Sequence, residues 1–171
     1  MSLDIILASG SASRKALLAG AGIKAETVKP LVDEETAKTA MRAEGVSIRD
    51  QAMALAELKA LKVSSQRSGL VIGGDQMLAL GERAFDKPAD LANARRHLEA
   101  LSGQSHRLET AIVIAEDGAI VWKYLARPKL TMRALSEDFI SSYLECTGED
   151  VLSTVGGYKL CLLYTSPSPR D

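Results

Sequence analysis

The chain has 171 residues, of which 46% are hydrophobic and 25% are charged, and its formal net charge is -1 at pH 7. This composition is ordinary for a globular protein with one domain, and it gives no electrostatic reason to expect general binding to nucleic acid or to an acidic membrane surface. No window is apolar over the length that spans a bilayer, and no basic secretory segment opens the chain, so we expect a cytoplasmic protein.

Cysteine and histidine are too few to define a disulfide framework or a zinc site. The chain has two residues of each type, and their spacing matches neither pattern. A bound metal would therefore be held by carboxylates, which favours magnesium or manganese over zinc.

The first predicted element is a buried strand over residues 3–8, followed by a hydroxyl-rich loop and a helix from Arg14 to about residue 19. The loop contains Ser9, Ser11 and Ser13. Hydroxyls and free backbone N–H groups at a helix start, beside the cation of Arg14, suit a phosphate or a carboxylate. Simple N-capping by Ser11 or Ser13, with Arg14 in solvent, explains the same pattern equally well.

A second strand is predicted within residues 23–31, and the acids Asp33, Glu34 and Glu35 follow it. Such a cluster is typical of a helix N-terminus, but it also suits a carboxylate beside a metal. Helices are predicted over residues 35–44 and 47–62. The second of them carries Lys59, whose position alone indicates no particular role.

Residues 70–80 place an acid inside an apolar run. Gly73 and Gly74 are expected to break a buried strand and to free the backbone for tight geometry, and Asp75 and Gln76 follow them. Because an isolated buried charge is costly, a carboxylate in this setting indicates a functional group. The alternative is a β-bulge or turn in which Asp75 caps a neighbouring backbone group.

Residues 81–144 show alternating helix and strand patterns. Lys87 lies directly before Pro88, which biases its backbone to an extended conformation, although a plain surface lysine is the simpler interpretation. An Asp-Gly pair at residues 117–118 indicates a hairpin turn. The predicted elements are a helix over residues 90–101, strands over 106–115, 119–125 and 130–133, and a capped helix over 136–144.

Three further features have both a structural and a functional interpretation. His106, at a strand start, is expected to be a hydrogen-bonded structural residue rather than a ligand or a catalytic base, and Trp122 is expected to belong to the core rather than to stack on a nucleotide base. The glycine pair Gly156 and Gly157, followed by Tyr158, would suit the lining of a nucleotide site.

The last eleven residues, 161–171, change character abruptly to Cys-Leu-Leu-Tyr-Thr-Ser-Pro-Ser-Pro-Arg-Asp. They resemble the translation of a sequencing-library adapter, and such a segment is set aside from fold reasoning. A natural disordered Ser/Pro tail is the alternative. On the first interpretation, residues 1–160 form one truncated domain and residues 161–171 are artefactual.

Seven short motifs follow one another along the chain: Ser9-x-Ser11-x-x-Arg14 after a strand, Asp33-Glu34, Lys59-Ala60, Gly74-Asp75-Gln76, Lys87-Pro88, Leu101-Ser102-Gly103-Gln104-x-His106 and Gly156-Gly157-Tyr158. In order and spacing, over essentially residues 3–160, they resemble the Maf family of nucleoside triphosphate pyrophosphatases. The resemblance implies an α/β fold with a mixed central sheet, flanking helices and two lobes with a cleft. That fold is related to the inosine triphosphate pyrophosphatase architecture and is commonly dimeric.

The resemblance also implies a reaction, the divalent-metal-dependent hydrolysis of a nucleoside triphosphate to the monophosphate and pyrophosphate. Asp75 is implied as the general base or water-orienting acid, and Glu34 as a metal-linked carboxylate, so that the two would hold magnesium or manganese. The residues implied in phosphate binding are Ser9, Ser11, Arg14, Lys59 and Lys87.

Substrate choice is implied by departures from the family pattern. The family often has Pro-Arg-Arg or Pro-Trp-Arg where this chain has Ala12-Ser13-Arg14, which makes Ser13 a candidate specificity residue. Gln76 is the second. Glutamine after the aspartate resembles the branch that hydrolyses 7-methyl-GTP, whereas a threonine is usual in the branch that resembles dTTP/UTP pyrophosphatases. The 7-methyl-GTP branch is also expected to carry a glutamate near position 161, where the tail begins.

Two other functions fit parts of the sequence. A non-catalytic nucleotide-binding regulator of septum formation is one, because Maf family members have been linked to that process. A nucleotidyltransferase is the other, because residues 6–11 resemble the strand and loop that open sugar-nucleotide pyrophosphorylases, although the richer glycine loop of that class is absent.

Overall fold

The computed structural model describes residues 4–159, and this part of the chain folds into seven strands and five α-helices. The mixed α/β class predicted from the sequence is confirmed. The predicted tail at residues 161–171 lies outside the described residues. The strands are β1 (Ile5–Ala8), β2 (Glu26–Val28), β3 (Leu70–Leu80), β4 (Arg83–Phe85), β5 (Ser105–Glu116), β6 (Ala119–Ala126) and β7 (Lys129–Thr131). The helices are α1 (Ala12–Gly20), α2 (Glu34–Ala43), α3 (Ile48–Ser64), α4 (Leu91–Leu101) and α5 (Glu137–Thr147).

One mixed sheet contains all of these strands in the order β2-β1-β3-β5-β6, with β4 also paired to β3 and β7 also paired to β5. β1 runs parallel to both β2 and β3, whereas β5 runs antiparallel to β6 and β7. The turn between β5 and β6 has positive φ at Asp117 (49°) and Gly118 (77°), as a tight two-residue hairpin requires. The predicted hairpin is therefore confirmed.

Each helix begins at a serine or aspartate whose side chain accepts the N–H of the residue three positions on. This contact satisfies one of the donors that a helix start leaves without a partner. The cap also explains why the predicted starts agree with the structure to within a few residues. The capping residues are Ser11, Asp33, Ser47, Asp90 and Ser136.

The described residues form two compact units, and the first contains residues 4–76 and 109–127. Its core includes Ile6 and Ala8 of β1, Val63 of α3 and Val71 of β3. Helix α3 lies very close to β3, because a Cβ on Gly73 would be 2.5 Å from the carbonyl oxygen of Ala56. Glycine at this position therefore sets the approach of the helix to the sheet.

The second unit contains residues 77–108 and 128–159 and has the larger apolar cluster. Leu78, Phe85 and Leu98 are fully or almost fully buried in it. His106 is buried there as well, and its Nε2 lies 2.5 Å from the hydroxyl oxygen of Tyr158. This contact supports the expected structural role of His106.

Two predictions of local structure are wrong, and one strand was missed. Gly73 and Gly74 do not break the strand, because β3 runs without interruption from residue 70 to residue 80. Trp122 is not in the core, because 47% of it is exposed and it stacks on the half-exposed Tyr124. The three-residue strand β4 was not predicted. Within residues 4–159, no helix is both long and apolar enough to cross a bilayer.

Candidate active site

Asp75 and Lys59 form the centre of the candidate site. Asp75 lies midway along β3, and Lys59 projects from α3, so that Lys59 Nζ is 2.7 Å from Asp75 Oδ1. Only 9% of the Asp75 side chain and 7% of the Lys59 side chain are exposed. A carboxylate this deeply buried is costly unless it is paired, and the ammonium of Lys59 supplies that pairing.

Glu34 joins this pair from the first turn of α2, where its Oε2 lies 3.0 Å from the same Nζ of Lys59. Its side chain is 41% exposed, so the group connects a buried ion pair to solvent. The preceding residue, Asp33, instead accepts the N–H of Thr36 and caps the helix, so the neighbouring acids Asp33 and Glu34 have different contacts. Because one ammonium bridges both carboxylates, Lys59 holds them close together despite their like charge.

The loop between β1 and α1 forms a second cluster around Arg14. Arg14 Nη1 donates to the carbonyl oxygen of Gly74 at 2.8 Å and to Ser9 Oγ at 3.3 Å. Ser11 caps the helix and donates its own N–H to Ser9 Oγ at 3.1 Å. The predicted N-cap is therefore present, but Arg14 is not simply solvated, because it is anchored to β3. Ser13, the first candidate specificity residue, is exposed in the first turn of the helix.

Gln76 faces away from Asp75. Successive side chains of a strand point to opposite faces of the sheet, and β3 is regular through both residues. Asp75 meets Lys59 of α3, whereas Gln76 donates from Nε2 to Thr110 Oγ1 of β5 at 2.8 Å. The two residues that the sequence placed in one site therefore lie on two faces of one strand.

The remaining sequence candidates, Lys87 and the glycine pair, lie in the second unit. Lys87 is exposed beside the buried Pro88, and its assignment to the phosphates stays a prediction. Gly156 and Gly157 have φ of 75° and 72°, and a Cβ on Gly156 would lie 2.5 Å from Leu78 Cδ1. Conformation and close packing account for Gly156 without any ligand.

Sequence reasoning missed two polar contacts. One is the hydrogen bond from Gln76 to Thr110, and the other is a two-pronged ion pair in which Arg127 Nε and Nη2 donate to Glu109 at 2.8 and 3.0 Å. Both involve β5, whose alternating pattern puts Glu109 and Thr110 on opposite faces. That alternation was visible in the sequence, but the partners across the sheet were not.

Glu34 and Asp75 are carboxylates, which are the type of ligand that a hard cation binds. Among residues 4–159 no group of three or more His, Cys, Asp or Glu side chains is placed to hold a metal. Glu34 and Asp75 nevertheless offer two carboxylates within 3.0 Å of one point, the Nζ of Lys59. Magnesium is commonly bound through one or two carboxylates together with substrate phosphates, so these two residues fit that ion.

The chain is similar in sequence to several known proteins. The family model described as Maf-like protein matches residues 4–164. A nucleoside triphosphate pyrophosphatase of Hyphomonas neptunium is 64% identical over 160 residues, which are 94% of this chain and 81% of that relative. A 7-methyl-GTP pyrophosphatase of Mesorhizobium japonicum is 46% identical over 94% of this chain and 81% of the relative. A nucleoside triphosphate pyrophosphatase of Rhodospirillum rubrum is 45% identical, over 91% and 78% respectively.

Proposed function

Because the chain belongs to the Maf-like protein family, we propose that it hydrolyses a nucleoside triphosphate to the monophosphate and pyrophosphate, with 7-methyl-GTP as the preferred substrate. The observation that carries the proposal is the buried pair of Lys59 and Asp75, in which Lys59 Nζ lies 2.7 Å from Asp75 Oδ1 and also 3.0 Å from Glu34 Oε2. A nucleoside triphosphate substrate also supports the cytoplasm as the place of the reaction. A homodimer stays a prediction.

In the proposed reaction, water attacks the α-phosphorus of the substrate. A bond forms between the water oxygen and that phosphorus, the bond from the α-phosphorus to the bridging oxygen breaks, and pyrophosphate leaves with the electron pair. Asp75 accepts the proton that the water loses. Its burial against Lys59 fixes the carboxylate in position, which is what a general base needs before its substrate arrives.

Lys59 contributes charge as well as position. An ammonium has three N–H donors, and the two carboxylates take two of them. We propose that a phosphate oxygen of the substrate takes the third. A magnesium or manganese ion bound by Glu34 and Asp75 would neutralise further phosphate charge.

The cluster around Arg14 is the second candidate phosphate site. Its guanidinium is held by Ser9 and by the carbonyl of Gly74, which leaves its planar, multi-donor group oriented in advance. The hydroxyls and backbone N–H groups of the Ser9 to Ser11 turn lie at the start of α1, where the helix dipole favours an anion. Substrate choice is assigned to Gln76 and Ser13.

The test is pyrophosphate release from 7-methyl-GTP and from a panel of nucleoside triphosphates, with magnesium or manganese present. Asp75→Asn keeps the size of the side chain but removes the base, and we expect it to lower kcat by about 10²- to 10⁴-fold. Near-normal turnover in this variant would show that Asp75 is not the base. Tight triphosphate binding by the parent protein without hydrolysis would favour a nucleotide-binding regulator. A preference for dTTP or UTP would place the protein in the branch that resembles dTTP/UTP pyrophosphatases.

Glu34 has a matched control on its own helix. Glu35 is the next residue in the first turn of α2 and is exposed. Glu34→Gln removes the contact with Lys59 and is expected to lower turnover, whereas Glu35→Gln changes the same charge without touching the site. Equal effects of the two substitutions would mean that only the overall charge of this helix start matters.

A further inference from the structure

The ammonium of Lys59 lies between the same two carboxylates that are candidates for holding a metal ion. Its Nζ is 2.7 Å from Asp75 Oδ1 and 3.0 Å from Glu34 Oε2. A magnesium ion bound to these two oxygens would lie about 2.0–2.1 Å from each of them. An ion that approached the oxygens from the same side as Lys59 would therefore overlap with Nζ.

Burial and charge both act against a metal ion while Lys59 is in place. The side chains of Lys59 and Asp75 are only 7% and 9% exposed, whereas that of Glu34 is 41% exposed. A solvated ion can thus reach Glu34, but little of Asp75 is open to it. The two carboxylates carry two negative charges, and the ammonium cancels one of them and repels a second cation.

We infer that Lys59 competes with divalent cations for Glu34 and Asp75, and that its ammonium keeps this position closed in the free protein. The inference rests on the proposed function, which assigns magnesium or manganese to the same carboxylates. In the free protein the ammonium supplies the positive charge that keeps two like charges together. The consequence is that the free protein binds the metal more weakly than the two carboxylates alone would.

The first measurement is the Kd for Mn²⁺ without any nucleotide, followed by the electron paramagnetic resonance signal of free Mn²⁺. Lys59→Met removes the ammonium and keeps a flexible, unbranched side chain. Lys62→Met is the matched control, because Lys62 carries the same charge on the exposed side of the same helix. A charge beside a carboxylate changes its affinity for a proton by about 10- to 1,000-fold. We therefore expect Lys59→Met to lower the Kd by about tenfold or more, and Lys62→Met to leave it within about twofold of the parent value.

The second measurement follows the ammonium of Lys59 in the parent protein. It does not depend on the folding of Lys59→Met, in which the buried Asp75 loses its partner. Proton-detected ¹⁵N NMR records lysine NH₃⁺ groups that ion pairs protect from exchange with water, and Lys59→Arg identifies the Lys59 signal by its loss. We expect this signal to shift or disappear when Mg²⁺ is added to saturation, but not with KCl at the same ionic strength. Lys123, which is paired with Glu57, should respond alike to the two salts.

Three results would overturn the inference. The first is a Kd for Mn²⁺ that is no lower in folded Lys59→Met than in the parent protein. The second is a Lys59 signal that responds to Mg²⁺ no more than to KCl, because the ion would then bind beside the ammonium through other carboxylate oxygens. The third is a metal-free parent protein with no protected Lys59 signal. Both measurements are made without substrate, so a parent protein that releases no pyrophosphate would overturn the proposed function alone, and the two failures are distinguishable.

Discussion

Substitution of Gly73 by alanine tests how closely α3 must approach β3. A Cβ at this position would lie 2.5 Å from the carbonyl oxygen of Ala56 and 2.8 Å from the Cβ and the N of Ala60. Non-bonded carbon contacts are most favourable at about 3.5–4.0 Å, so the helix must retreat by about 1 Å. Lys59 precedes Ala60 in the same helix, and its Nζ would move relative to Asp75.

The expected cost follows from that overlap. Overpacking in a well-packed interior lowers the free energy of unfolding by about 1–3 kcal/mol. Replacing glycine also reduces the conformational freedom of the unfolded chain, which raises the free energy of unfolding by about 0.4–1 kcal/mol. A net loss of about 1–2 kcal/mol lowers Tm by about 2–8 °C in a protein of this size. A shift of about 1 Å in a catalytic group also lowers turnover by about 10²-fold.

The matched control is the neighbouring glycine. A Cβ on Gly74 would be 3.4 Å from the carbonyl oxygen of Ala111 and 3.8 Å from Arg14 Cζ, which is close to ordinary contact. Differential scanning calorimetry of Gly73→Ala and Gly74→Ala should therefore show a clear fall in Tm only for the first. If the two variants have the same Tm and Gly73→Ala retains full turnover, α3 does not pack on β3 as described.

Two further predictions concern stability. Arg127→Ala leaves the buried carboxylate of Glu109 without its ion-pair partner, so we expect Tm to fall. Adding Glu109→Gln to that variant removes the uncompensated charge and should restore part of the lost Tm. A double variant with no recovery of Tm would contradict this account. Burial lowers the pKa of His97 below its usual 6.5, and the nearby cation of Arg83 lowers it further. The neutral imidazole of His97 is thus favoured in the folded state. Its burial in that form therefore stabilises the fold above pH 6.5, and this stabilisation is lost as the pH falls from 6.5 toward the lower pKa that His97 has in the folded protein. Thermal melts of His97→Gln should lose less stability on acidification than the parent, with a residual slope from the similarly buried His106.

The elements that sequence reasoning predicted well are those with local causes. Helix starts depend on a capping residue only three positions away, and the β5–β6 turn depends on the Asp-Gly pair at its centre. Strand β4 has only three residues, too few for alternation to be recognised, and it forms because residues 78–80 offer it a partner. A short strand of this kind is a property of the sheet rather than of its own sequence.

The contacts among the candidate site residues could not be predicted from the sequence. Asp75 was identified because an acid in an apolar strand is costly, which is a local argument. The bridging of Asp75 and Glu34 by Lys59 depends on how α2 and α3 pack, which no local pattern reports. The exposure of Trp122 shows the same limit, because an apolar residue in a strand can be recognised without knowing whether anything covers its face.

The regularity of β3 gives the glycine pair two separate roles. Alternation puts Gly73 and Asp75 on the face that meets α3, and Gly74 and Gln76 on the other, where the guanidinium of Arg14 lies over Gly74. Each face therefore combines one glycine, which admits a neighbouring group, with one polar side chain two residues further on. Because a shift of one residue exchanges the two faces, an uninterrupted strand keeps Asp75 beside Lys59 and Gln76 beside Thr110 at the same time. If the strand were broken at the glycines, as the sequence predicted, the position of Asp75 would not determine that of Gln76. Because the strand is continuous, the position of the proposed base, Asp75, fixes that of the proposed specificity residue, Gln76.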